Sequence, residues 1–137
     1  MTFLLDTNVV SEIRKRERAD RGVRRWFEAT AEDSLFLSVL VLGEVRRGVE
    51  LKRRRDPRAA QHLEAWLSSL EASFSDRLLL VDAAVSDAWG RLNVARPLPV
   101  VDGLLAATAI VHGLTLVTRN TDDFARVRVP LLNPFAQ

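Results

Sequence analysis

The sequence predicts an α/β fold: a small parallel β-sheet flanked by helices on both faces. Three observations predict it. Short apolar runs recur along the 137 residues, and most are followed by a longer stretch with helical periodicity. Strands that alternate with helices pair in parallel and need cover on both faces of the sheet. Hydrophobic residues make up 47% of the chain, which at this length supplies one core, so residues 1–137 are expected to form a single domain.

The elements follow in order. Phe3–Leu5 is a short apolar strand, and Thr7–Ile13 begins a helix. Asp20–Ala31 reads as a second helix, carrying Trp26 and Phe27. Leu35–Ser38 is a strand, followed by a helix from about Leu40 to Lys52. Pro57–Phe74 is a long amphipathic helix with Leu63, Trp66, Leu67 and Leu70 on one face. Leu78–Val81 is a strand and Ala83–Ala95 a helix, after which Pro97 and Pro99 break the chain. Val101–Gly113 is a helix rich in small residues, and Thr115–Thr118 a strand. A short helical turn and a last strand, Val129–Leu132, complete the order. In open α/β sheets the ligand site lies beyond the carboxyl ends of the strands. Asp6 and the segment Thr118–Asp123 both fall just past strand ends.

Composition excludes several classes of function. There are no cysteines, which removes disulfides, thiolate nucleophiles and zinc–thiolate sites together. No apolar run approaches the roughly 20 residues of a membrane span. The opening MTFLLD runs straight into an acid without a basic segment, unlike a signal peptide. A cytoplasmic location is the expectation. Net charge is +2, but Lys15 and Lys52 are the only lysines, and arginines cluster at Arg14–Arg18, Arg24–Arg25, Arg46–Arg47 and Arg53–Arg55. Arginine forks suit phosphate, whereas arginine runs are also common on solvated helix faces.

Four carboxylates stand in four separate apolar stretches: Asp6 in FLLDTN, Glu44 in LSVLVLGEVRRG, Asp102 in PVVDGLLAATA and Asp123 in LVTRNTDDF. Buried carboxylates are costly unless paired or bound to a metal. Four on inward-facing elements are expected to share one acidic pocket, a donor set for hard cations such as Mg²⁺ or Mn²⁺. An acidic pocket with a basic rim suits a phosphodiester substrate.

Each acid also has a plainer reading. Asp6 lies between strand and helix, where an N-cap is ordinary, and Asp82 in LLLVDAAV has the same context and reads as a cap only. Thr7 and Asn8 add polar groups beside Asp6 and distinguish the two. Glu44 falls in the apolar arc of its helix, near Leu40 and Gly48, with Arg46, Arg47 and Glu50 opposite. Metal ligation or catalysis accounts for it there, and so does a buried pair with arginine. Gly43 and Gly48 leave backbone space that packing does not require. Asp102 opens a helix, where the dipole favours an acid, but Ala106 and Ala109 on its side allow it to face inward. Thr118, Asn120 and Asp123 are expected to line the pocket and Asp122 to face solvent, although a capped turn has the same composition. His62 and His112 share no motif, which disfavours a histidine acid–base route.

In order and spacing these segments resemble the PIN-domain ribonucleases of the VapC type, toxins of type II toxin–antitoxin pairs. The resemblance rests on LLDTNVVSE, SVLVLGEVRRGV, PVVDGLLAATA, LVTRNTDDF and the closing LLNPF, and extends over nearly the whole chain. The LGEVRRG and NPF segments are most similar to the FitB-like subgroup. It implies a metal-dependent endoribonuclease that leaves 5′-phosphate and 3′-hydroxyl ends, is inhibited by a VapB-like antitoxin, and forms homodimers. It also implies that Asp6, Glu44 and Asp102 are metal ligands and that Asn8 orients the site. Members carry the fourth acid either where this chain has Asn120 or where it has Asp123. Asp123 is assigned here, with Thr118 and Asn120 in support. The apolar surface of Pro57–Phe74 and of Trp26–Phe27 is the expected site of pairing between copies. Three other classes share parts of this pattern: a structure-specific DNA nuclease of similar fold, a receiver-like phosphoacceptor module and a catalytically weak PIN module acting by binding. The absence of any lysine after Lys52 weighs against the receiver.

Overall fold

The computed structural model describes residues 1–95 and 97–136. Its five strands are β1 (Phe3–Leu5), β2 (Leu35–Ser38), β3 (Leu78–Leu79), β4 (Thr115–Val117) and β5 (Leu131–Leu132). They form one sheet in the order β3-β2-β1-β4-β5, with every pairing parallel. The helices are α1 (Thr7–Ile13), α2 (Arg21–Ala29), α3 (Val39–Arg55), α4 (Pro57–Ser73), α5 (Ala83–Leu92) and α6 (Val100–His112). The chain steps from β1 outward to β2 and β3, then crosses back to β4 on the other side of β1. Right-handed crossovers therefore put α1–α4 on one face and α5–α6 on the other. Packing of α3 on α4 and of α5 on α6 agrees with this division.

The order of strands reverses at β1 and β4, and a crevice opens beyond their carboxyl ends at such a point. Leu5 pairs with Val117, so the next residues, Asp6 and Thr118, emerge side by side. The core consists of the predicted apolar faces, with Leu4, Leu37, Leu116, Val41, Val49, Leu67 and Leu105 almost fully enclosed. The small residues of α6 are buried as well, including Gly103, Ala106, Ala107 and Ala109.

Several expectations need adjustment. The strand expected over Leu78–Val81 stops at Leu79 because its only partner, β2, ends at Ser38, which pairs with Leu79. Leu80 is left 63% exposed. The helix expected to reach Ala95 ends at Leu92, where Asn93 caps it and turns its amide back onto the Trp89 carbonyl. The last strand begins at Leu131 rather than Val129. Two 3₁₀ turns, Arg16–Arg18 and Glu32–Ser34, were not anticipated. The expected apolar surface of α4 and of Trp26–Phe27 is partly covered, with Trp26, Phe27, Leu63, Trp66 and Leu70 half-buried against the core. Leu67 is buried, and Trp26 lies edge-on to Phe3 at 5.3 Å between ring centres.

Arg77 joins the start of β3 to its surroundings. Its guanidinium donates to the carbonyls of Glu32 (2.6 Å), Leu35 (2.8 Å) and Ser73 (2.6 Å), and it stacks 4.8 Å from the Phe74 ring. A planar fork on three carbonyls is a task that lysine cannot reproduce.

Candidate functional site

Asp6 is the innermost of the four acids. It leaves β1 in extended conformation and caps α1, with Oδ1 accepting from the Thr7 backbone N–H at 2.7 Å. That is the plain structural role, and it occupies only one oxygen. Oδ2 accepts from the Thr118 hydroxyl at 2.8 Å and from the Asn8 amide at 3.4 Å. Asp6 is 7% exposed and Thr118 is fully buried. Burial pushes the Asp6 carboxyl up, and the nearby Glu44 charge adds to this. Hydrogen bonds from Thr118, Thr7 and Asn8 pull the other way.

The predicted supporting residues form a lattice around Asp6. Asn8 donates to the Thr118 hydroxyl at 3.3 Å, while its Oδ1 accepts from the Arg119 backbone N–H at 3.1 Å. The Thr118 hydroxyl also accepts from the Asn120 backbone N–H at 3.0 Å. Together these contacts tie the start of α1 to the segment that follows β4. Asn120 caps the 3₁₀ turn Thr121–Phe124, which carries Asp123.

Glu44 comes from α3, which begins directly after β2 with Ser38 as its cap. The expectation that its stretch is buried requires correction: Glu44 is exposed, as are Gly43 and Gly48. The helical arithmetic placed Glu44 beside Leu40 and Gly48, but that flank faces outward and not into the core. A Cβ at Gly43 or Gly48 would meet no atom within 4 Å. Glu44 nonetheless points to the site, because its Oε1 accepts from the Thr7 hydroxyl at 2.6 Å. Thr7 thus links Asp6, through its backbone, to Glu44, through its side chain. Its place in the site was foreshadowed only by its position after Asp6.

Asp102 lies half-buried in the first turn of α6. Its carboxyl is pushed up by burial first, then by the charges of Asp6, Glu44 and Asp123. One carboxylate is therefore within electrostatic reach of the other three. Asp123 is exposed, as is Asp122. The four acids are thus graded in burial, with Asp6 buried, Asp102 intermediate, and Glu44 and Asp123 exposed. As the side chains stand, no three acidic or histidine groups among the described residues gather closely enough to hold one metal ion. Asp82 caps α5 through a 3.0 Å bond from the Val85 N–H, its one side-chain bond among the described residues.

The arginine clusters divide between the two readings. Arg46 and Arg53 are paired with Glu50 and Glu64 in a network joining α3 to α4, so they are surface struts. Arg14 stacks on Trp66 and Arg119 on Phe135. His62 and His112 are exposed, on α4 and at the end of α6. An apolar groove of about 330 Å³ runs between α1, α2 and α4, lined by Val10, Ile13, Phe27, Trp66 and Leu70.

A switch-point crevice with acids from β1, α3, α6 and the turn after β4 is the arrangement on which relatives can be compared. The chain belongs to the PIN domain family, which matches it over residues 3–130. It is 31% identical to the toxin FitB of Neisseria gonorrhoeae, with 97% of this chain and 98% of FitB aligned. It is 30% identical to the VapC ribonuclease Y4jK of Sinorhizobium fredii, with 97% of each chain aligned. The crystal structure of FitAcB from Neisseria gonorrhoeae superposes with a TM-score of 0.88 at 30% identity, covering 97% of this chain and 98% of that one.

Proposed function

We propose that this chain is a Mg²⁺- or Mn²⁺-dependent endoribonuclease, the toxin of a toxin–antitoxin pair, working in the cytoplasm through Asp6, Glu44, Asp102 and Asp123. The observation that carries the reading is the buried Asp6 carboxylate at the end of the central strand, held by Thr118 and linked through Thr7 to Glu44. Beside it, burial first, and then the charges of Asp6, Glu44 and Asp123, push the Asp102 carboxyl up. A protein without a use for such a cluster gains nothing from keeping like charges in one crevice. The similarity to a VapC ribonuclease and to FitB supports RNA as the substrate.

The donor set fits a hard divalent cation, since all four groups offer carboxylate oxygen and Asn8, Thr118 and Asn120 add only oxygen and amide. When bound, the metal supplies an acidified water and charge neutralisation at the scissile phosphate. Asp6, Glu44, Asp102 and Asp123 would hold it. Asn8 and Thr118 fix the Asp6 carboxylate, and Thr7 fixes Glu44, so two of the four donors are oriented in advance. The products are 5′-phosphate and 3′-hydroxyl ends.

The test is cleavage of one sequence presented as single-stranded RNA and as single-stranded DNA, with Mg²⁺ or Mn²⁺ and with EDTA. The expected result is RNA cleavage that requires the metal. DNA cleavage alone would assign the chain to the DNA nucleases, and cleavage of neither by folded protein would leave a binding module.

A VapB-like antitoxin would use the apolar groove between α1, α2 and α4 and place a basic side chain among the acids. Arginine suits that task because its fork bridges two carboxylates. Homodimerisation would bury apolar side chains that this chain leaves open, chiefly Leu80 at 63%, Val94 at 81% and Val100 at 61% exposure. Sedimentation at micromolar concentration is expected to give a dimer, and a strictly monomeric species would count against it.

A further inference from the structure

The first turn of α6 carries Asp102, yet the helix has no cap of its own. Its N-cap position is Pro99, and among the described residues no side chain accepts from its leading amides. What restrains this turn comes from the end of α5. Asn93, the capping residue there, donates from Nδ2 to the Trp89 carbonyl at 2.9 Å and accepts at Oδ1 from the Leu98 N–H at 2.8 Å. Leu98 is buried, so Asn93 secures the inward point of the Pro97–Pro99 break. Beyond Asp102 the same residue is met again. Gly103 is buried, and a Cβ there would lie 2.8 Å from Asn93 Nδ2 and 3.0 Å from the Trp89 ring. Asn93 therefore touches the chain on both sides of Asp102, by a hydrogen bond at Leu98 and by close contact at Gly103. Among the described residues the buried Nε1 of Trp89 has no partner, so its ring contributes packing.

We infer that Asn93 is a positioning residue, which sets the distance of Asp102 from Asp6 by registering the first turn of α6 against α5. The inference rests on the acidic crevice being the working site. Among the described residues no side-chain hydrogen bond holds the Asp102 carboxylate, so its position follows the backbone of its turn. The restraint must come through the backbone, and Asn93 supplies it.

The test compares Asn93→Ala, which loses both bonds, with Asn93→Asp, which keeps the acceptor for Leu98 and loses the donor to Trp89. Two readouts are taken: Mn²⁺ affinity, from free Mn²⁺ in electron paramagnetic resonance, and amide hydrogen exchange in the metal-free protein. Partners that orient metal ligands typically change affinity by about 10–100-fold. Asn93→Ala is expected to weaken Mn²⁺ by at least about tenfold and to speed exchange at Leu98 and Gly103, leaving Leu5 and Asp6 unchanged. Asn93→Asp should fall between Asn93→Ala and the wild type, and it keeps the comparison available if Asn93→Ala does not fold. Arg77→Ala is the control, expected to lower Tm at least as far without moving Mn²⁺ affinity. Wild-type Mn²⁺ affinity together with wild-type exchange at Leu98 and Gly103 would overturn the inference. If the wild-type protein binds no Mn²⁺, the metal reading of the site fails separately. Exchange then decides, with acceleration in the first turn of α6 upholding the role of Asn93 and no change overturning it.

Discussion

Replacement of Glu44 by glutamine is expected to reduce RNA cleavage by roughly 10²-fold or more, while the protein folds as before. A loss of this size is typical when one preorganised charge-stabilising group is removed from an active site. Glutamine keeps the length and planar shape of the side chain, and its Oε1 still accepts from the Thr7 hydroxyl. Only the charge is lost. Because Glu44 is exposed, its replacement should leave stability within about 0.5 kcal/mol. Its charge raises both Asp6 and Asp102, so the glutamine variant should also bind Mn²⁺ more weakly and ionise those two acids more easily. The measurement is the cleavage rate on single-stranded RNA at saturating Mn²⁺, with circular dichroism as the folding control. Full activity in a well-folded Glu44→Gln protein would remove Glu44 from the site.

Asp102→Asn is expected to trade activity for stability. It should lose RNA cleavage to a similar degree, and in the absence of metal it should melt at a higher temperature than the wild type at pH 7. The sign follows from linkage. The folded pKa of Asp102 lies above its unfolded value, so the folded state holds its proton more tightly. Below the unfolded pKa both states are protonated and the group costs nothing. As pH rises through the folded pKa the charged form accumulates, and folding stability falls. Asparagine removes that cost, so its advantage should be present at pH 7 and absent near pH 3. The helix dipole acts the other way, since an acid in the first turn of α6 is favourable. Burial and three neighbouring carboxylates are set against that single interaction, and they prevail. Melting curves at pH 3 and pH 7 in EDTA check the claim. A lower Tm for Asp102→Asn at pH 7 would show that the acids are too far apart to repel. Added Mn²⁺ should reverse the order by stabilising the wild type more.

Much of this architecture is legible in the chain because β1, β2 and the faces of α3 and α4 are written in apolar residues with clear periods. Phe3–Leu5 and Leu35–Ser38 occur where their composition places them. What sequence does not carry is the neighbour. Leu80 and Val81 have the composition of a strand, but β2 ends at Ser38, opposite Leu79, and does not reach them. Glu44 has the position of a core residue on its helix, yet no element among the described residues covers it and it is exposed. Arg46 and Arg53 look like free cations until Glu64 of α4 is brought against them. Among the glycines, Gly43 and Gly48 attracted notice and lie in open space. Gly22, where a Cβ would meet the carbonyl of Pro134 at 2.4 Å, and Gly103 are the positions of close approach. No local signal marks those two, since both contacts join segments far apart in sequence or across a loop.

Asp6 and Asp82 put the central claim to its sharpest test. Both follow an apolar run, both cap a helix, and both accept a backbone N–H through one carboxylate oxygen. They differ in the polar residues that follow them, Thr7 and Asn8 after Asp6 against Ala83 and Ala84 after Asp82, and above all in tertiary placement. Asp6 leaves the central strand beside β4, where Thr118, Asn8 and the other acids converge, whereas Asp82 follows the edge strand β3. The decisive measurement is Mn²⁺-dependent cleavage of single-stranded RNA by Asp6→Asn and Asp82→Asn side by side. The predicted result is that Asp6→Asn is inactive, while Asp82→Asn cleaves at the wild-type rate and loses at most a cap's contribution, about 0.5–2 kcal/mol. An active Asp6→Asn beside an inactive Asp82→Asn would contradict the account, because it would move the chemistry from the switch point of the sheet to its edge.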